Sequence, residues 1–227
     1  MIVADFEPVS LNDYPGKVSA VVFISGCNLL CRFCYNRELV LKKLVKDKTE
    51  DFFEYLILNK IKYVAITGGE PLFHPHILDF FEKLKKLGVS IKLDTNGFSY
   101  AKFKKALEKS LLNYVAMDVK GFSDEDIRFI TRKNYRFRDF LKSYELLKSY
   151  DIPFELRITM WKDFDKEDLL HFLSFVDRND KIILQKPIFD KPFLDKRFAS
   201  FVRNVDFERN IKIFQECFSN VVVRNFV

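Results

Sequence analysis

Six short β-type runs alternate with helical patterns along this chain, and that alternation narrows its possible folds more than any other feature. The runs fall at 18–25, 63–67, 89–93, 114–119, 154–159 and 181–185, each apolar and rich in β-branched or aromatic residues. Between them, Ile77, Phe80, Phe81, Leu84 and Leu87 recur at three- and four-residue spacing, as do Phe137, Phe140, Leu141, Tyr144 and Leu147. Each set forms one apolar stripe of a helix. Tyr100, Phe103, Leu107 and Leu111 predict another helix, as do Leu169, Leu170, Leu173 and Val176. A last helix is expected over 207–218, before a short terminal strand at 221–224. Strands this continuously apolar, separated by helices, make a parallel sheet covered by helices. Both a doubly wound sheet and a full or partial β/α barrel satisfy the pattern. No linker or low-complexity stretch interrupts it, so a single domain over residues 1–227 is expected.

In either architecture a ligand lies at the carboxyl ends of the strands. The unusual residues fall there. Cys27 follows the first run, Gly68-Gly69-Glu70-Pro71 the second and Asp94-Thr95-Asn96-Gly97 the third, while Asp118-Val119-Lys120 closes the fourth. Composition excludes several rival classes. The net charge of +6 comes from lysines scattered over helical stretches, without a basic stripe or a nucleic-acid-binding motif. No apolar run is long enough to span a membrane, and the first residues lack a basic stretch followed by an apolar one, so a soluble, cytoplasmic protein is expected. Three of the four cysteines lie within eight residues, which argues against a disulfide framework.

Those three, Cys27, Cys31 and Cys34, have the spacing CxxxCxxC. A cubane iron–sulfur cluster takes four ligands, so three thiolates would leave one iron open to a reactant. The same residues could instead be small apolar side chains on one helix face, or zinc ligands completed by His74 or Cys217. The run begins at a glycine directly after a strand and carries Arg32, which speaks against a buried helix face. Paired glycines allow close backbone approach to a ligand, and Glu70 suits an ammonium ion, although GGEP alone could be a tight turn. DTNG alone reads as a surface turn, and Asp118 with Lys120 as an exposed ion pair.

Taken together, CxxxCxxC and Thr67-Gly68-Gly69-Glu70-Pro71 resemble the radical S-adenosylmethionine (SAM) superfamily. The segments Leu93-Asp94-Thr95-Asn96-Gly97 and Val115-Ala116-Met117-Asp118-Val119-Lys120 are similar to those of its glycyl-radical enzyme activating branch, which includes the pyruvate formate-lyase and anaerobic ribonucleotide reductase activating enzymes. Ser10 to Lys17 resembles the lead-in segment of that branch, so the likeness covers most of 6–187. It implies a partial (β/α)6 TIM-like barrel of parallel strands with a core at about 18–187 and a C-terminal helix and strand extension. It further implies one [4Fe-4S] cluster on Cys27, Cys31 and Cys34. SAM would be bound by Phe33, Cys34, Tyr35, Gly68, Gly69, Glu70, Asp94, Thr95, Asn96, Asp118, Val119, Lys120 and Arg157. A monovalent cation would lie near Asp94, Thr95, Asp118 and the Ala116 carbonyl. Tyr35 stands where activating enzymes frequently carry histidine, and the fifth run keeps Arg157 but lacks a histidine some of them use.

The implied reaction is reductive cleavage of SAM to a 5′-deoxyadenosyl radical, which takes a glycine Cα hydrogen from a partner glycyl-radical enzyme. Reduced flavodoxin or ferredoxin would supply the electron, and no side chain acts as acid or base. Neither nucleic acid nor membrane is an expected partner. Three alternatives are a radical SAM enzyme acting on a small molecule, such as a deazapurine-forming synthase, a non-catalytic iron–sulfur or zinc protein, and a nucleic-acid-binding protein. No cysteine lies between Cys34 and Gly68, which excludes a ferredoxin insertion there, and lone Cys217 is expected as a buried helix residue. His74, His76 and His171 are read as structural or surface residues, and Trp161 as a packed aromatic.

Overall fold

The computed structural model describes residues 3–41 and 46–224. Its strands are β1 (Val3–Tyr14), β2 (Lys17–Ile24), β3 (Tyr63–Gly68), β4 (Ser90–Thr95), β5 (Tyr114–Val119), β6 (Phe154–Thr159), β7 (Ile182–Gln185) and β8 (Val221–Arg224). They form one open sheet in chain order, so the fold is α/β and of the partial-barrel type. The expected partial barrel carries one strand more at its edge, which makes the sheet mixed. β1 runs antiparallel to β2, while β2 with β3, β3 with β4, β6 with β7, and β7 with β8 are parallel. β1 has little alternation to betray it, because Asp5, Glu7, Val9 and Leu11 are all exposed at this edge. The signal lay in its turn: Tyr14 pairs with Lys17 across Pro15-Gly16, with Gly16 at φ +68°.

The helices are α1 (Arg37–Val40), α2 (Thr49–Leu58), α3 (Ile77–Lys86), α4 (Tyr100–Glu108), α5 (Asp124–Thr131), α6 (Phe137–Lys148), α7 (Lys166–Leu173), α8 (Phe198–Val202) and α9 (Phe207–Cys217). A 3-10 turn covers Pro71–Phe73. Among the described residues no helix is long and apolar enough to cross a membrane. The α3 stripe is as expected, except that Leu87 caps the helix and is exposed. Leu111 lies beyond α4 but is buried. In α7 the buried face is Leu169 and Phe172, and Leu170 points outward. The helix α5 escaped the periodicity, yet it has a plain start signal: Ser123 Oγ accepts the Asp126 N–H (3.1 Å) ahead of an acidic first turn.

Contacts divide the chain into two compact units. The first draws on 1–28, 36–116 and 142–153, and the second on 29–35, 117–141 and 154–227. In the first unit, buried β2, β3 and β4 are accompanied by packed aromatic rings, with Phe52 stacked on Phe80 and Phe6 tilted against Phe52. The second unit centres on Phe122, which stacks on Phe172 (4.5 Å between centroids) and also meets Phe164 and Phe214. Trp161 is buried there in a cluster with Ile130, Phe193 and Phe198, and Cys217 is a buried residue of α9, both as expected.

One feature of the first unit positions its functional residues. The end of β3 presses against the end of β2: the Gly69 N–H donates to the Ile24 carbonyl and the Glu70 N–H to the Gly26 carbonyl, both at 2.8 Å. A Cβ at Gly69 would lie 2.0 Å from the Gly26 oxygen, and one at Gly68 would lie 2.4 Å from the Ile24 nitrogen and oxygen. The two bare residues therefore admit a backbone neighbour that no side chain would allow. Gly69→Ala should lower the thermal midpoint by about 6–12 °C, corresponding to roughly 3 kcal/mol of overpacking. Gly16→Ala, at positive φ with open space around it, should cost about 1–2 kcal/mol. Equal shifts in thermal melts of the two variants would contradict the close-approach role.

Candidate functional site

In the first unit the glycine contact leads directly into Glu70, which is 1% exposed. Its Oε1 accepts the Leu72 N–H (3.0 Å) and the Thr95 hydroxyl (2.8 Å), and its Oε2 accepts the Asn96 N–H (2.7 Å). One buried carboxylate thus joins the loops after β3 and β4. Asn96 continues the chain of contacts by donating from Nδ2 to Asn28 Oδ1 (2.8 Å), one residue from Cys27. Its own Oδ1 accepts the Phe98 N–H (3.0 Å), which shapes the Asn96-Gly97-Phe98 turn. Asp94, at the end of β4, is bonded by the ammonium of buried Lys92. The first unit therefore brings together Gly68, Gly69, Glu70, Thr95, Asn96 and the loop bearing Cys27, with Asp94 paired to a residue that sequence reasoning passed over.

The second unit holds Cys31 and Cys34. The Cys34 N–H donates to the Cys31 carbonyl (3.0 Å), and the Cys34 carbonyl accepts the Leu194 N–H (2.7 Å). Arg32 anchors the same loop, donating from Nε to the Phe129 carbonyl (2.9 Å), pairing with Asp195 (2.5 Å) and lying over the Phe129 ring. Lys120 lies 5.6 Å from the Phe33 ring centroid and pairs with Asp118 Oδ2 (3.0 Å), while Arg157 takes Asp118 Oδ1 (2.8 Å). Two cations thus share the one carboxylate. Burial opposes ionisation of Asp118, but Arg157 and Lys120 overcome it and hold the carboxyl down at about 2. Tyr35 is half-buried at the end of this loop and Val119 is buried in β5.

Among the described residues no group of three His, Cys, Asp or Glu side chains converges as a site for one metal ion. The donor chemistry nevertheless suits an iron–sulfur cluster. All four cysteines are free thiols; Cys27 and Cys34 are partly exposed and Cys31 is buried. Burial pushes the Cys31 thiol up to about 12, and nearby Lys120 works against that shift. A buried thiol kept beside a cation is one that ligation to a soft metal centre would hold as thiolate. His76 is exposed beside Asp79, and His171 packs against Phe175, so neither joins the cysteines. Lys92 was the residue missed. Its signal was the strand period: two positions from Asp94 on β4, it shares that residue's face.

The Asp118 geometry carries a pH signature. Its folded pKa lies below the ordinary value of 3.8, so its stabilising contribution is complete above about pH 4 and disappears as pH falls through about 2. Asp118→Asn should melt below the unsubstituted protein at pH 7, with the gap closing between pH 4 and 2. A constant gap across that window in circular-dichroism melts would contradict the pairing.

The Radical SAM superfamily matches residues 21–176. A Methanocaldococcus jannaschii protein, provisionally named a glycyl-radical enzyme activating enzyme, is 28% identical over 230 residues, covering 98% of this chain and 95% of its own length. The GTP 3′,8-cyclase of Listeria welshimeri is 29% identical over 192 residues, or 78% of this chain, and the match covers 57% of the cyclase. Among solved structures, Streptococcus suis SuiB bound to precursor peptide SuiA shares the fold, with a TM-score of 0.62 at 15% identity over 90% of this chain and 48% of SuiB. The superfamily match takes in the cysteine loop, the Gly68-Gly69-Glu70 corner, the β4 and β5 ends and Arg157, and with it this chain belongs to the radical SAM superfamily and is a radical SAM enzyme.

Proposed function

We propose that Cys27, Cys31 and Cys34 hold one [4Fe-4S] cluster and that the residues at the strand ends hold SAM. The observation that carries this is the polarity of the two sets of residues. In the first unit, Glu70 is a buried carboxylate fixed by three donors, a stationary negative charge suited to the SAM ammonium. In the second, Lys120 and Arg157 gather at Asp118, and a guanidinium and an ammonium are the groups suited to the SAM carboxylate. Phe33, Tyr35 and Val119 supply apolar surface for the adenosyl part, and Asn96 orders the turn beside it. When bound, the cluster and SAM supply one-electron cleavage of the sulfur to C5′ bond and a 5′-deoxyadenosyl radical, with the electron coming from reduced flavodoxin or ferredoxin. The chain's part is to orient SAM, exclude water and keep the thiols available as ligands.

Two classes of target follow. A glycine Cα of a partner glycyl-radical enzyme is supported by the archaeal relative, whose likeness runs through nearly the whole of both chains. A small molecule is supported by the similarity to GTP 3′,8-cyclase, and the comparisons taken together favour this second class. The chain spans only 57% of the cyclase, so a GTP-like substrate is a class to be tested rather than carried over. Family membership sets aside the non-catalytic iron–sulfur and zinc readings.

Anaerobically reconstituted, dithionite-reduced protein should convert SAM to 5′-deoxyadenosine and methionine, and Cys34→Ala should not. No 5′-deoxyadenosine above that variant's background would contradict the proposal. A partner enzyme labelled with deuterium at glycine Cα separates the targets. Deuterium recovered in 5′-deoxyadenosine identifies an activating enzyme, whereas unlabelled product whose formation is stimulated by a small molecule identifies the other class.

A further inference from the structure

The likeness to activating enzymes implies a monovalent cation beside Asp94, Thr95 and Asp118, and the residues present do not fit one. Lys92 is 1% exposed and its ammonium is bonded to Asp94 Oδ1. The two side chains are 2% and 8% exposed, so this is an ion pair withdrawn from water. Lys92 and Asp94 stand two apart on β4 and so project from the same face of the strand. The Thr95 hydroxyl is also engaged, donating to Glu70 (2.8 Å) and accepting the Gly97 N–H (3.2 Å). In the second unit, Asp118 has one oxygen on Lys120 and the other on Arg157. Each carboxylate that would attract a metal cation is already neutralised by the chain's own cations. A buried ammonium is retained only where a counter-charge compensates its lost hydration, and Asp94 is that counter-charge.

We infer that Lys92 supplies, from within the chain, the positive charge that a potassium or sodium ion would otherwise place at Asp94. The end of β4 is then held without a metal ion. Lys92 is a positioning residue: it neutralises Asp94 and fixes its carboxylate next to Thr95 and Asn96. Its relevance to SAM rests on the function proposed above, but the occupancy of the site does not.

Thallium(I), a potassium mimic, gives a readout that needs neither SAM nor turnover. In equilibrium dialysis the unsubstituted protein should show no saturable thallium site, whereas Lys92→Met, which keeps the bulk and removes the charge, should acquire one. Its affinity should exceed that of the unsubstituted protein by about tenfold or more. Thermal melts provide the second measurement. Potassium chloride should raise the midpoint of Lys92→Met over tetramethylammonium chloride at equal ionic strength and leave the unsubstituted protein and Lys92→Arg unchanged. A saturable thallium site or potassium-dependent melting in the unsubstituted protein would overturn the inference, and this arm decides even if Lys92→Met fails to fold. A folded Lys92→Met that binds no thallium would overturn it as well. Failure to cleave SAM would leave these results standing and count against the proposed function alone.

Discussion

The backbone contact between Gly68-Gly69 and Ile24–Gly26 is the constraint on which the first unit's functional residues depend. Parallel strands pair along their length, but here the pairing continues past the register Ile24 with Gly68 into two further hydrogen bonds. The loop leaving β2 toward Cys27 and the corner leaving β3 toward Glu70 are thereby fixed to one another. Glycine is required because the space a Cβ would fill is taken by main-chain atoms, which cannot rotate away as a side chain can. The role expected from sequence was close approach to a ligand. The structure gives the same two residues a prior task, close approach to protein backbone.

From that corner the order is carried by buried polar bonds. Glu70 takes donors from its own 3-10 turn and from the end of β4, and Asn96 passes the connection to Asn28. A network with these donors and acceptors matched can be rigid at little desolvation cost, whereas removing one member would leave the rest buried and unpaired. The charges follow a pattern of their own. Asp94 pairs with Lys92, while Asp118 pairs with both Lys120 and Arg157. Within the first unit Glu70 is a buried carboxylate fixed by its donors.

Much of this was legible in the sequence; exposed segments and side-chain pairing were not. The six β-type runs were visible because buried strands are continuously apolar, as 63–67 and 114–119 are. β1 was not, since an exposed edge strand needs no apolar pattern, and only Pro15-Gly16 marked its turn. Likewise Leu170 scored as part of a stripe although it faces outward, because an apolar residue on a surface helix carries no penalty that a sequence can show. The motif residues were found by type and spacing. What type and spacing could not reveal was pairing: Lys92 looks like any strand lysine until its side chain is seen buried against Asp94. The pairing around Asp118 was half visible, as Lys120 is two residues away, but Arg157 joins it from a strand 39 positions distant.

A cluster held by three thiolates, as proposed, would leave one iron for SAM. Electron paramagnetic resonance of the reconstituted, dithionite-reduced protein tests it most directly. The reduced cluster should give a signal whose shape changes when SAM is added, since SAM would bind at the iron no cysteine holds, and Cys27→Ala, Cys31→Ala and Cys34→Ala should each abolish it. A signal unaltered by SAM, or one that survives the loss of any of the three cysteines, would contradict the claim.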